Sequence, residues 1–191
     1  MVKNVVGWRT WLRANHAKSD GEWLVLARKG TTTPTSLTYD EALDEALCYG
    51  WIDGQARSRD ATTRLQRWTP RRKRSNWSKR NTEIAERLVK EGRMQPAGHA
   101  EMERAKADGR WAAAYAGPAA VTMPDDLVAA LAKKPRAKAM FEILTSQNRF
   151  AVLYRIQDAK RPETRARRIQ QFVDMLARGG TVYPQKQKLP A

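Results

Sequence analysis

Trp51-Ile52-Asp53-Gly54-Gln55-Ala56-Arg57-Ser58-Arg59 and, after Asp60-Ala61-Thr62-Thr63, Arg64-Leu65-Gln66-Arg67-Trp68-Thr69 are the stretches that decide the fold. Both follow a pattern of roughly period two, and a short polar segment separates them, so they predict an antiparallel hairpin. Pro70 ends it, because proline has no N–H to give to a sheet ladder. Upstream, Glu22 to Lys29 carries Trp23, Leu24, Val25, Leu26 and Ala27 between Asp20-Gly21 and Lys29-Gly30. That run is too short and too β-prone for a helix and predicts a buried third strand. Val5, Trp8, Trp11, Leu12 and Asn15 recur at helical spacing, so Val5 to Asn15 predicts a short amphipathic helix closed by His16. Thr38-Tyr39-Asp40-Glu41 is a capping box, with Thr38 placed to cap and Glu41 to reach back. Ala42, Leu43, Ala46 and Leu47 then form the stripe of a helix ending near Cys48, with Gly50 just beyond.

Downstream of the hairpin comes the basic turn Arg71-Arg72-Lys73-Arg74. Trp77, Asn81, Ile84 and Leu88 follow at helical intervals and predict a helix of about four turns, stopped by Gly92. The rest of the chain reads as helices over 96–108, 124–133, 137–144, 146–160 and 163–178, the last with Ile169, Phe172, Val173 and Leu176 as its stripe. The fold class is therefore α+β: a small antiparallel sheet of about three strands in the N-terminal half packed with helices, and an all-helical C-terminal half. Composition shifts divide the chain into an α+β domain at 1–114, a linker at 115–122, a helical region at 123–182 and a loose tail at 183–191.

The chain has 191 residues, and 41% of them are hydrophobic, enough to bury roughly 70% of the unfolded surface without covalent staples. Its net charge of +16 does not follow from any need of the fold, because like charge repels itself in a compact body. Such a charge points to a polyanionic partner: nucleic acid, an acidic membrane or a phosphorylated ligand. The competing explanation is a chain that is merely arginine-rich. A single cysteine, Cys48, excludes an internal disulfide framework. With His16 and His99 far apart, no metal site and no cofactor is expected. No run of about 18 apolar residues spans a membrane, and the N-terminus lacks the apolar stretch of a signal peptide, so the expected location is cytoplasmic. The oligomeric state is left open.

The candidate polyanion-binding residues are Arg57, Arg59, Arg64, Arg67, Arg71, Arg72, Lys73, Arg74, Lys79 and Arg80, set against a single acid, Asp60. Alternate residues share a strand face, so Arg57 and Arg59 would converge. The planar arginine fork matches phosphate oxygens, and Trp51, Trp68 or Trp77 would stack bases wherever exposed. The alternative is that these indoles are core and the arginines ordinary solvated surface. A second anion site is read at Arg165, Arg167 and Arg168, beside the helix start at Pro162-Glu163. There, surface pairing of Glu163 with Arg167 is the competing account. Asp53 is the one candidate for an acid or base, since apolar neighbours favour a neutral carboxyl. An ion pair with Arg57 on the same strand face, or a turn cap, is the structural alternative. Cys48 at a helix C-terminus reads as a core residue and His16 as a C-capping group.

Several runs in order along nearly the whole chain carry a resemblance: Trp11 to His16, Ala46 to Gly54, Thr69 to Arg72, Ser75 to Asn81, Ala105 to Trp111 and Ala159 to Ile169. They resemble the YdeI/OmpD-associated, or bacteriocin-protection, family. The resemblance implies resistance to bacteriocins or cationic antimicrobial peptides and association with an outer-membrane porin, and it carries over no catalytic residue. Three functions remain in play: a non-catalytic basic protein binding nucleic acid or another polyanion, an indirect resistance factor, and an enzyme using Asp53 with Arg57 or Arg72 on a small acidic substrate.

Overall fold

A computed structural model describes residues 1–117 and 121–189; residues 118–120 of the expected linker and 190–191 of the expected tail lie outside them. Among the described residues the order is α1 (Val5–Asn15), β1 (Glu22–Ala27), α2 (Tyr39–Cys48), β2 (Trp51–Ser58), β3 (Thr63–Pro70), α3 (Lys79–Lys90), α4 (Pro96–Ala107), α5 (Asp125–Ala132), α6 (Pro135–Glu142), α7 (Ser146–Gln157) and α8 (Pro162–Ala177). The fold is α+β, and the chain divides into two compact units, Met1–Tyr115 and Ala116–Ala191.

In the first unit β3 is the central strand of an antiparallel sheet ordered β1-β3-β2. The register sets Leu24 against Gln66 and Leu26 against Arg64 on one side, and Asp53 against Trp68 on the other. Period-two alternation then turns Leu24, Leu26, Trp68 and Trp51 toward the helices. There they join Trp8 and Leu12 of α1 and Leu43 and Leu47 of α2 in one core. Trp8 meets Trp51 at 6.2 Å and Trp68 at 6.3 Å between ring centroids. The indole N–H of Trp8 donates to the Ala42 carbonyl and that of Trp51 to the His16 carbonyl, both at 3.1 Å.

The capping box of α2 forms as read: the Glu41 amide donates to Thr38 Oγ1, and the Thr38 amide to Glu41 Oε2. His16 closes α1, with Nδ1 2.9 Å from the Leu12 carbonyl. One charge is buried between helices. Glu45 of α2, 2% exposed, receives Arg9 Nε and Nη2 at 2.9 and 2.6 Å and Arg93 Nη2 at 2.8 Å. Burial alone would raise this carboxyl, but the arginine bonds outweigh it and the group is lowered.

Two readings of local structure are corrected. β1 is only half buried, because Trp23 and Val25 lie on the sheet face turned from the helices. The helix expected to include Trp77 begins at Lys79: Ser78 caps it by accepting from the Asn81 amide, and Trp77 packs before the helix against Trp111 at 4.7 Å.

The second unit is helical, with Leu127, Leu131, Met140, Phe141, Val152, Ile156, Val173 and Leu176 in its core. Asn148, fully buried at the start of α7, accepts from the Tyr183 amide and donates to the Tyr183 carbonyl and to Gln185. These bonds join the chain after α8 to α7.

α4 approaches the end of α2 so closely that only glycine fits at position 98. A Cβ there would collide with the carbonyl oxygens of Leu47 and Cys48 and with the Met94 sulfur. Gly98→Ala is expected to destabilise the first unit by about 1–3 kcal/mol through this overpacking, measured by urea unfolding.

Candidate anion-binding surface

The geometry of the basic stretch starts from its turn. Asp60 Oδ1 accepts from the amides of Thr62 and Thr63, and Oδ2 accepts from Thr63 Oγ1 at 2.7 Å. The Thr63 hydroxyl and the two amides hold this carboxyl down to about 2. The single acid in the stretch is therefore a turn organiser, and Arg59, just past β2, lies 3.7 Å from it.

A β-bulge lies between Asp53 and Ala56: Gly54 and Gln55 both oppose Arg67, and the buried Gln66 amide donates to both of their carbonyls. One extra residue reverses the alternation of everything beyond it. Arg57 is consequently on the opposite face from Asp53, and the ion pair expected between them does not form. Arg57 instead reaches across the central strand and lays its guanidinium 4.6 Å from the centre of the Trp23 ring. Arg67, register partner of Trp23, lies 4.0 Å from the exposed Asp20.

On the helix side, Asp53 accepts a 3.0 Å hydrogen bond from the Tyr39 hydroxyl. Burial, with the Asp53 charge second, raises the Tyr39 hydroxyl well above its ordinary value. Arg64 and Arg80 lie 4.9 and 5.6 Å from the Tyr39 ring, and Arg80 also meets Asp40 at 2.7 Å. Neither Arg57 nor Arg72 is brought to Asp53.

The loop after β3 separates its four consecutive cations. Arg71 is buried at 6% exposure, stacks 3.7 Å from the centre of the Trp77 ring and donates Nη1 to the Asn76 carbonyl at 3.2 Å. Its reading as a surface cation is corrected, and burial draws its guanidinium down to about 10. The neighbouring Ser75 carbonyl accepts from Arg110 Nη1 at 2.7 Å. Two arginines thus grip the loop from within, while Arg72, Lys73 and Arg74 are exposed at its tip. These three and Lys79, exposed at the start of α3, make no ion pair with any described residue.

Trp51, Trp68 and Trp77 are 1%, 0% and 2% exposed, so none offers a ring to a base. An indole that partly reaches the surface with an arginine over its ring is Trp23, which the sequence reading placed in a buried strand. Its place in an alternating half-buried strand is the signal that would have found it. Arg110 was also missed as a residue that positions the basic loop.

At the second basic cluster, Arg165 Nε and Nη2 grip Asp126 at 2.6 and 2.9 Å, and Arg168 Nη1 bonds the Arg155 carbonyl with Asp158 at 3.7 Å. Arg167 is exposed, and the expected Glu163–Arg167 pair does not form among the described residues. Cys48 is buried, and burial pushes its thiol up to about 12. Among the described residues no three His, Cys, Asp or Glu side chains converge as metal ligands, and no helix is long and apolar enough to cross a membrane.

An α+β unit carrying this basic hairpin and loop, followed by a helical unit, matches two family models. Residues 1–101 match the model described as domain of unknown function (DUF8412), and residues 120–179 the one described as bacteriocin-protection, YdeI or OmpD-associated. The chain belongs to the DUF8412 family, and over α5 to α8 it carries the YdeI/OmpD-associated domain that its sequence resembles. Of the runs that carried the resemblance, Ala159 to Ile169 falls within the second match. The runs from Trp11 to Asn81 fall in the first, and Ala105 to Trp111 between the two. No curated protein and no solved structure matches the chain.

The folded Asp60 value lies below its ordinary 3.8, so the turn's contribution is complete above about pH 4 and is lost as the pH falls toward 2. Asp60→Ala is expected to lower the urea midpoint at pH 7, and the two proteins should converge as the pH approaches 2, followed by circular dichroism.

Proposed function

We propose that the chain is a non-catalytic cytoplasmic protein that binds nucleic acid or another polyanion through the basic surface of its first unit. The observation that carries this reading is the exposure of Arg72, Lys73 and Arg74 on a loop braced by Arg71 and Arg110, with no described acid paired to them, in a chain of net charge +16. Lys79 and Arg80 extend the positive surface at the start of α3. The exposed Arg80–Asp40 pair removes little of it, since such pairs are weak and screened. The Trp23–Arg57 pair adds a stacked cation on the outer face of the sheet.

Binding to phosphates by such cations acts through counterion release. With about five phosphates neutralised, affinity should fall roughly 500-fold for a fourfold rise in salt. Fluorescence anisotropy with labelled DNA and RNA at two salt concentrations reads this directly; no binding at low salt rejects the reading. Changing Arg72, Lys73 and Arg74 together to alanine is expected to weaken binding at least about tenfold and to reduce the salt slope by about 0.9 for each phosphate no longer neutralised, with the unfolding curve unchanged.

The match over residues 120–179 favours a second reading, protection against bacteriocins or cationic antimicrobial peptides. A body of +16 repels a cationic peptide, so protection would run indirectly, through regulation or an acidic partner. Calorimetry of the purified protein with such a peptide should give no binding heat, and tight binding would reverse this view.

A further inference from the structure

The side edge of a guanidinium, made by Nε and Nη2, presents two parallel N–H groups at the spacing of two carboxylate oxygens. The chain fills that edge repeatedly with its own acids. Arg9 gives it to Glu45 and Arg165 gives it to Asp126, while Arg110 bonds Asp108 through Nε alone, its Nη2 lying 2.7 Å from Oδ2 without a hydrogen bond. Arg71 breaks the pattern. Its Nη1 is bonded to the Asn76 carbonyl, as Nη1 of Arg110 is bonded to Ser75, but its Nε and Nη2 are both buried and have no hydrogen-bond partner among the described residues.

Two such donors on one cation are costly. A buried donor without an acceptor gives up its hydration and gains nothing, and the penalty is greater when the donor is charged. The Trp77 ring under the guanidinium stabilises the charge from one face but accepts no N–H at the edge. Glu101 is the acid whose charge acts most on Arg71, yet it makes no bond to it; its own partner is Arg104. The side edge of Arg71 therefore fits an acceptor that the described residues do not supply.

We infer that the side edge of Arg71 is a binding site for the carboxylate group of a small molecule, held by paired bonds from Nε and Nη2 above the Trp77 ring. The site is distinct from the exposed cations at 72–74 and does not depend on the polyanion reading. A polymer backbone does not fit it, because both nitrogens are closed to solvent. Carboxylate is the group assigned because it fills the same edge at Arg9 and Arg165.

The test follows the arginine Nε–Hε signals of the 15N-labelled full chain during titration with sodium acetate, with sodium chloride at matched ionic strength and sodium phosphate as separate arms. The Arg71 signal is assigned by its disappearance in Arg71→Lys. Acetate is expected to move this signal saturably, with a Kd on the order of millimolar for so small a ligand, while the signals of Arg9, Arg110 and Arg165 stay in place. Acetate should also raise the melting temperature of the native chain but not of Arg71→Lys, which keeps the charge and lacks the edge. An Arg71 signal that acetate leaves unmoved overturns the proposal, as does one moved only by phosphate. Equal stabilisation of the two proteins does the same. Should Arg71→Lys fail to fold, the Arg71 signal is assigned in the native chain by through-bond correlation from its backbone amide to Nε–Hε, and comparison of the four arginine signals still decides.

Discussion

Three indoles must share one small volume in the first unit, and that requirement organises the rest. Trp8 comes from α1, Trp51 from the start of β2 and Trp68 from the middle strand, and all three are sealed from water. Each buried indole removes on the order of 200 Å² from solvent, which makes this cluster a large source of hydrophobic stabilisation in the unit. The N–H groups of Trp8 and Trp51 restrict the arrangement further. Trp8 is buried where the Ala42 carbonyl accepts its N–H and Trp51 where the end of α1 offers the His16 carbonyl, whereas the buried Trp68 N–H has no acceptor among the described residues. Hydrophobic area brings the elements together, and these two hydrogen bonds set how α1, α2 and the sheet meet.

With the helix side of the sheet taken by this cluster, the β-bulge at Gly54 and Gln55 decides which charges reach solvent. Up to Asp53 the strand alternates in phase with Trp51, and beyond the bulge it is out of phase, which carries Arg57 to the outer face. Asp53 stays on the inner side and is bonded by Tyr39. One inserted residue thus separates a carboxylate from a guanidinium that a regular strand would pair. The loop after Pro70 makes a comparable division, with Arg71 inward over Trp77 and the next three cations outward.

Much of this was legible in the residues. The capping box at Thr38 and Glu41, the hairpin around Asp60 and the glycine stops are local devices, with partners within a few positions, and each formed where its pattern lay. The bulge was not legible, because Gly54 and Gln55 look like any two strand residues until β3 is set against them. Trp77 fell on a helical interval with Asn81 and Leu88, although it packs against Arg71 and Trp111. Spacing alone does not say whether a residue belongs to the helix it is in phase with. The burial of Arg71 was the furthest from view. It stands first in a run of four cations, and only the ring of Trp77, six positions on, distinguishes it from the three that follow.

The buried thiol of Cys48 has a practical side. With the only sulfhydryl of the chain enclosed at the end of α2 and pushed up to about 12, the native protein presents almost no thiolate to an alkylating reagent at neutral pH. A cysteine introduced at an exposed position will therefore be the one that a maleimide dye finds. Fluorophores or spin labels can be attached at chosen points on either unit without first removing the native cysteine, which leaves the packing around α2 and α4 undisturbed.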